Sequence, residues 1–204
     1  MPEVVAVDVR YVLPSHLRGA CRQDLHRIVM AGFADGVLPP DRPRSDSGCL
    51  FRVEGSSLLV RHRVGLVHQI AGLAAVRRDV SASLVGRRYR FAVEVNAERA
   101  VSQRGSLPEE VRRLHSPRGR RVAVPNEDLA VWAQELLGRK EIGADEVTVS
   151  PRYSVRRAPG SSGGVPAVQL RAVVDGGPAL DRVTVQGVGR AKSYGLGLCV
   201  ISDV

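Results

Sequence analysis

The sequence predicts an α+β fold made of two consecutive β-α-β-β-α-β units, with a glycine-rich loop ahead of a closing strand. Three observations predict it. Short runs rich in β-branched and aromatic residues alternate apolar and polar positions, as half-buried strands do. Between them lie windows whose apolar residues recur at helical spacing. After Gly86 the same order of elements starts again, a repeat of element order without residue-level periodicity.

Val4–Arg10 is the first strand. A helix follows, with Asp24 near its N-cap, Leu25, Ile28, Val29 and Phe33 on its apolar face, and Gly32 or Gly36 at its stop. A Pro- and Asp-rich loop over residues 38–47 leads to two strands, Cys49–Glu54 and Leu58–Arg63, joined by Gly55-Ser56 as a hairpin. Residues 67–76 read as a short helix and Asp79–Val85 as a fourth strand. The second unit opens on Tyr89–Val95, a strongly alternating strand. Residues 97–121 form a polar, Arg-rich connection. Asn126 caps a helix over Glu127–Leu137, with Leu129, Trp132, Ala133 and Leu136 on one face and Gly138 as the stop. Arg152–Arg157 and Val168–Val174 are strands around a Gly/Ser-rich tip, Pro178–Gln186 is a short helix, and Leu198–Ile201 closes the chain's last sheet. This is the order of tandem ferredoxin-like (RRM-like) βαββαβ domains, here residues 1–86 and 87–204.

A formal charge of +9 on 204 residues favours a polyanionic partner, a nucleic acid or an acidic membrane face. The cations are nearly all Arg, with Lys140 and Lys192 the exceptions, so placement says more than the total. Cys21, Cys49 and Cys199 are scattered and form no C-x-x-C, which points to reduced thiols in a cytoplasmic protein rather than a disulfide framework or a zinc site. No signal peptide is visible, and the longest apolar stretch, residues 64–76, is broken by His68 and Gln69 and too short to span a bilayer. No membrane partner and no cofactor are expected. Aromatic residues make up only 4%, which argues against recognition of single strands by base stacking.

The most distinctive stretch is Gly187-Val-Gly-Arg-Ala-Lys-Ser-Tyr-Gly-Leu-Gly-Leu198. Glycines let a backbone approach a ligand closely, and Arg190 and Lys192 supply charge for a phosphate. A dinucleotide fingerprint would need Gly where Lys192 stands, a Walker A loop would need Gly-Lys-Ser/Thr where Ala191-Lys192-Ser193 stands, and both would need a helix behind the loop. The loop is neither of those nucleotide cradles.

That loop resembles the C-terminal G-x-G-P-x-K-x-x-G-x-G-L loop of the CasE-type CRISPR endoribonucleases. Asp24-Leu-His-Arg-Ile-Val-Met30 is similar to the same family's D/Y-x-L-H-R-x-x-M helix. Leu50–Glu54, Tyr89–Arg99 and Leu129–Trp132 match further family segments in order, so the resemblance covers nearly the whole chain. It implies tandem ferredoxin-like domains, and metal-free cleavage of precursor crRNA at the 3′ base of a CRISPR repeat RNA hairpin. It also implies retention of the hairpin product beside other Cascade subunits.

On that resemblance His26 is the general acid/base, and its unperturbed pKa suits the task. Lys192, with Arg190, Ser193 and the amides around Gly187, Gly189 and Gly195, is expected at the scissile phosphate; the bland alternative is a solvated turn with two surface cations. Arg152, Arg156 and Arg157 suit a repeat stem, since A-form RNA is read through phosphates and shape, and suit equally an exposed strand edge kept soluble by charge. Arg27 either contacts RNA or pairs with an acidic neighbour. The run Arg112, Arg113, Arg118, Arg120 and Arg121 reads as a solvated loop or a second phosphate patch. One position departs from the family: Gln23 stands where a Tyr commonly assists, and an amide hydrogen-bonds but does not exchange a proton usefully. Tyr11 and His16 are the candidate stand-ins. His62, His68 and His115 read as structural, Trp132 as core, and no metal site is expected. Two other readings stay open: a hairpin-binding subunit that does not cut, and an unrelated tandem ferredoxin-like enzyme acting on a small phosphorylated ligand.

Overall fold

In the computed structural model residues 3–38, 47–101, 120–161 and 163–204 are described. Most of the 38–47 loop, His115, and Arg112, Arg113 and Arg118 of the basic run lie outside them. β1 (Val4–Val12) alternates as its sequence does, burying Val7, Val9 and Tyr11 and exposing Arg10 and Val12. A single turn, α1 (Ser15–Arg18), precedes α2 (Arg22–Met30), which buries Leu25 and Val29 one turn apart. Asp24 sits in the first turn of α2 rather than at its cap, which is Cys21. β2 (Leu50–Glu54) and β3 (Ser57–His62) form the expected hairpin, turning at Gly55 with φ 58°. With β4 (Ala75–Ser81) they make an antiparallel sheet in the order β2-β3-β1-β4.

Two expectations fail here. Residues 67–76 are not a helix: Gly65 and Gly72 take positive φ, and His68 bridges to Phe33 and inserts into the core. The fourth strand starts at Ala75, because it is an exposed edge whose Arg77-Arg78 pair hides any alternation.

The second unit repeats the sheet order and has, before its last strand, a helix that the first unit lacks. β5 (Arg88–Asn96) is followed by a two-stranded ribbon, β6 (Glu98–Val101) and β7 (Arg120–Ala123). Asn126–Asp128 is a 3-10 turn with no side-chain cap bond, so Asn126 does not cap as expected; α3 (Leu129–Gly138) runs on through Gly138, and the chain reverses at Glu141, φ 60°. β8 (Ala144–Val149), β9 (Tyr153–Arg156), β10 (Gly164–Asp175), α4 (Pro178–Gln186) and β11 (Cys199–Asp203) complete it. The sheet order is β11-β5-β10-β8, with β9 pairing the first residues of β10. Counted within each unit, both sheets run fourth-first-third-second, so the chain is a tandem of ferredoxin-like folds.

Each unit has its own core. Tyr11, Leu25, Val29, Phe51 and Leu58 centre the first; Phe91, Val95, Trp132, Leu170 and Leu180 centre the second. Leu50, Leu59, Leu198 and Val200 join them. Arg61, 2% exposed, crosses the same junction: it grips Asp8 through two bonds of 2.7 and 2.9 Å and donates to the carbonyls of Thr184 (3.1 Å) and Cys199 (2.8 Å). No helix among the described residues is long and apolar enough to cross a membrane.

Candidate nucleic-acid interface and active site

The junction between the units brings the two ends of the chain together. β9 and the residue after it hold the first turn of α2 and the end of α1 before it: the Gln23 N–H donates to the Arg157 carbonyl (3.1 Å), and Arg156 Nη2 donates to the Gly19 carbonyl (2.5 Å). The glycine-rich loop folds onto the same helix. Its middle, Lys192–Tyr194, is a 3-10 turn that packs on α2, and Arg157 lies 5.5 Å over the Tyr194 ring. Ala191 enters that turn in the left-handed region, φ 59°.

Two glycines set how closely the loop approaches. A Cβ on Gly195 (φ 70°) would stand 2.6 Å from the Phe51 ring and 3.0 Å from Arg22. On Gly197 (φ 93°) it would stand 2.4 Å from the Val188 carbonyl. The absent side chains let Val188 N–H donate to the Gly197 carbonyl (2.8 Å), which closes the loop at its base beside Gly187. His26, half-buried, stacks its ring on Phe51 with centroids 6.3 Å apart and planes 20° from parallel. Phe51 thus contacts both the helix that carries His26 and the loop that carries Lys192. Lys192, half-buried, donates through Nζ to the Gln186 carbonyl at the end of α4.

His26, Gln23, Arg156, Arg157, Lys192, Ser193 and Gly195 therefore gather where α2, β9 and the loop meet. Other predicted residues stand elsewhere. Arg27 is exposed and paired with Asp24 at 2.8 Å. Arg152 donates to the Val124 carbonyl within its own unit. Gly189 and Arg190 line a separate cleft of about 610 Å³ with Arg99, Arg121 and Arg139, of which Arg99 is paired with Asp128 and Arg139 with Glu135. Neither stand-in for the missing Tyr fits. Tyr11 is fully buried with its hydroxyl committed to His68 Nδ1 (2.7 Å). His16 shares an apolar groove with Ile28, which is two residues beyond His26 and so on another side of α2.

The sequence did not single out a charge network around the buried Glu94 at this junction. Arg22 Nη2 donates to both oxygens of Glu94 (3.3 and 3.5 Å), and the Tyr153 hydroxyl donates to Glu94 Oε1 (2.5 Å). Burial and the Glu94 carboxylate push the Tyr153 hydroxyl far above its ordinary pKa. Arg22 stands four residues before His26, a spacing that puts both on one face and was the available signal. Among the described residues no three His, Cys, Asp or Glu side chains cluster as metal ligands would.

A family model described as "CRISPR associated protein" matches residues 10–202. No curated protein matches the chain by sequence. Among solved structures, the chain is similar to Thermus thermophilus Cse3 bound to an RNA representing a pre-cleavage complex, with a TM-score of 0.70 at 16% identity over 97% of this chain and 99% of that one. It is similar as well to Cas6e from Escherichia coli str. K-12 (TM-score 0.65, 19% identity, 98% and 100% covered). A third match is a chain of a CRISPR RNA-guided surveillance complex (TM-score 0.64, 19% identity, 97% and 100% covered). At these identities the likeness is one of fold.

Proposed function

The chain belongs to the CRISPR-associated protein family, and on that premise we propose that it is a CasE-type, metal-independent endoribonuclease that cuts the CRISPR repeat stem-loop in precursor crRNA. It keeps the hairpin product within a cytoplasmic Cascade complex. Its two ferredoxin-like domains divide at residues 86 and 87, in the link between β4 and β5. The observation that supports this reading is the packing of α2, which carries His26, against the 3-10 turn of the glycine-rich loop, which carries Lys192.

The reaction needs no group beyond the RNA and the protein. The 2′-oxygen attacks the neighbouring phosphorus, the P–O5′ bond breaks, and the products are a 2′,3′-cyclic phosphate and a 5′-hydroxyl. One proton leaves the 2′-hydroxyl and one reaches the 5′-oxygen. His26 carries the proton, and its stack on Phe51 fixes the ring for transfer. Lys192 answers the charge that builds on the phosphate, while the N–H groups of Gly187, Val188, Tyr194, Gly195 and Gly197 are spent on holding the loop in shape and in place. Gln23 donates a hydrogen bond there, while Arg156 and Arg157 grip the stem's phosphates.

A repeat RNA incubated with excess protein in EDTA tests this. A single cut at the 3′ base of the stem is expected, abolished by a 2′-deoxy substitution at the scissile nucleotide. His26→Ala slows cutting at least about a hundredfold and leaves hairpin binding intact. One observation favours a second reading. Gln23 replaces the family Tyr, and its turn is already engaged by Arg157, as suits a subunit that only holds the hairpin. Tight binding with no cut would establish that reading instead.

A further inference from the structure

Glu94 belongs to β5 of the second unit, yet its carboxylate faces Arg22 of the first, and the residue is 6% exposed. Its side chain holds α2 through Arg22 and holds β9 through Tyr153. Its main chain holds the glycine-rich loop: the Gly197 N–H donates to the Glu94 carbonyl at 2.7 Å. One residue therefore touches all three elements that form the site. Arg22 lies one turn before His26, so the turn that Glu94 grips is the turn from which His26 projects. The fit leaves little slack, because Gly195 fills the space between Arg22 and the Phe51 ring on which His26 stacks.

Apolar side chains would have closed this junction more cheaply than a buried ion pair, which gives back little net stability. What a charge-assisted pair adds is a fixed direction and distance. We propose that Glu94 is a positioning residue that locks the His26 turn of α2 against the glycine-rich loop, with Arg22 and Tyr153 as its partners. The catalytic consequence rests on the nuclease reading; the lock itself rests on the geometry. Misplacing a proton-transfer group by about 1 Å costs on the order of a hundredfold in rate.

The test compares wild type, Glu94→Gln and the double variant Arg22→Gln/Glu94→Gln. Each is measured by cleavage rate at saturating protein, hairpin Kd, melting temperature and amide hydrogen exchange. Glu94→Gln keeps the side-chain shape and removes the charge. It is expected to cut about 10- to 100-fold more slowly with Kd within about threefold, and to exchange faster in the first turn of α2. The double variant removes both buried charges and hence any unpaired one. Its melting temperature recovers while its rate stays low. A wild-type rate for Glu94→Gln, or a double variant that recovers rate and melting temperature together, overturns the proposal. If the wild type binds the hairpin without cutting it, the nuclease reading fails, and exchange alone decides. Faster exchange in the first turn of α2 upholds the lock, and unchanged exchange overturns it.

Discussion

Gly195 has no room for even one more carbon: φ is 70°, and the Phe51 ring fills the space where a side chain would begin. Gly195→Ala must both strain the backbone and push Phe51 off His26. We expect it to cost about 1–3 kcal/mol in thermal or denaturant unfolding, and to slow cutting at least tenfold. A second consequence at this scale concerns acid. His68 lies in the core with Nε2 donating to the Val29 carbonyl (2.8 Å) and Nδ1 bound by Tyr11, while His62 is 1% exposed. Burial holds both imidazoles below their ordinary pKa, so the unfolded chain binds protons more readily than the folded one. Their contribution to stability is complete above about pH 6.5 and is lost as pH falls from there through the folded values. Melting temperature should therefore decline from pH 7.5 to pH 5, and His68→Asn should flatten that decline.

Elements with strong local signals were legible, and those defined by a distant partner were not. α2 could be read from Leu25 and Val29, the hairpin from Gly55, and α4 from the proline at its start. β8 was missed because Ala-Asp-Glu-Val-Thr-Val is a polar, exposed edge that becomes a strand only by pairing with β10. Residues 67–76 looked helical, yet the His68 ring is hydrogen-bonded to Tyr11 of β1 and to the Val29 carbonyl of α2. Of the site, the glycine-rich loop stood out by its composition and His26 through family resemblance. Nothing local in the sequence says that residues near opposite ends of the chain meet. Glu94 is equally hidden, since in an alternating strand it reads as the outward, solvated position. β9 carries the element-scale prediction. Arg156 and Arg157 border the loop, and replacing both with Ala should weaken hairpin binding and lower the slope of log Kd against log salt by about two. An unchanged slope would place the stem elsewhere.

Across the whole molecule the two units are fastened at their junction by Arg61 and a small apolar cluster. Arg61 reaches carbonyls on both sides of the glycine-rich loop, Thr184 before it and Cys199 after it. Arg61→Met leaves Asp8 without its buried partner and frees both flanks of the loop. We expect a loss of about 3–5 kcal/mol in global stability and a broadened or split melting transition as the units lose their coupling. The meeting of α2 with the loop also sets an order of events in time. Each unit closes its sheet from segments of its own half, whereas the contact between α2 and the loop spans most of the chain and is the slowest kind to form. Trp132, the single tryptophan, sits in the second core and reports only that core. In a refolding chain its fluorescence is therefore expected to reach the native value before competence arrives, since competence waits for two finished halves to dock.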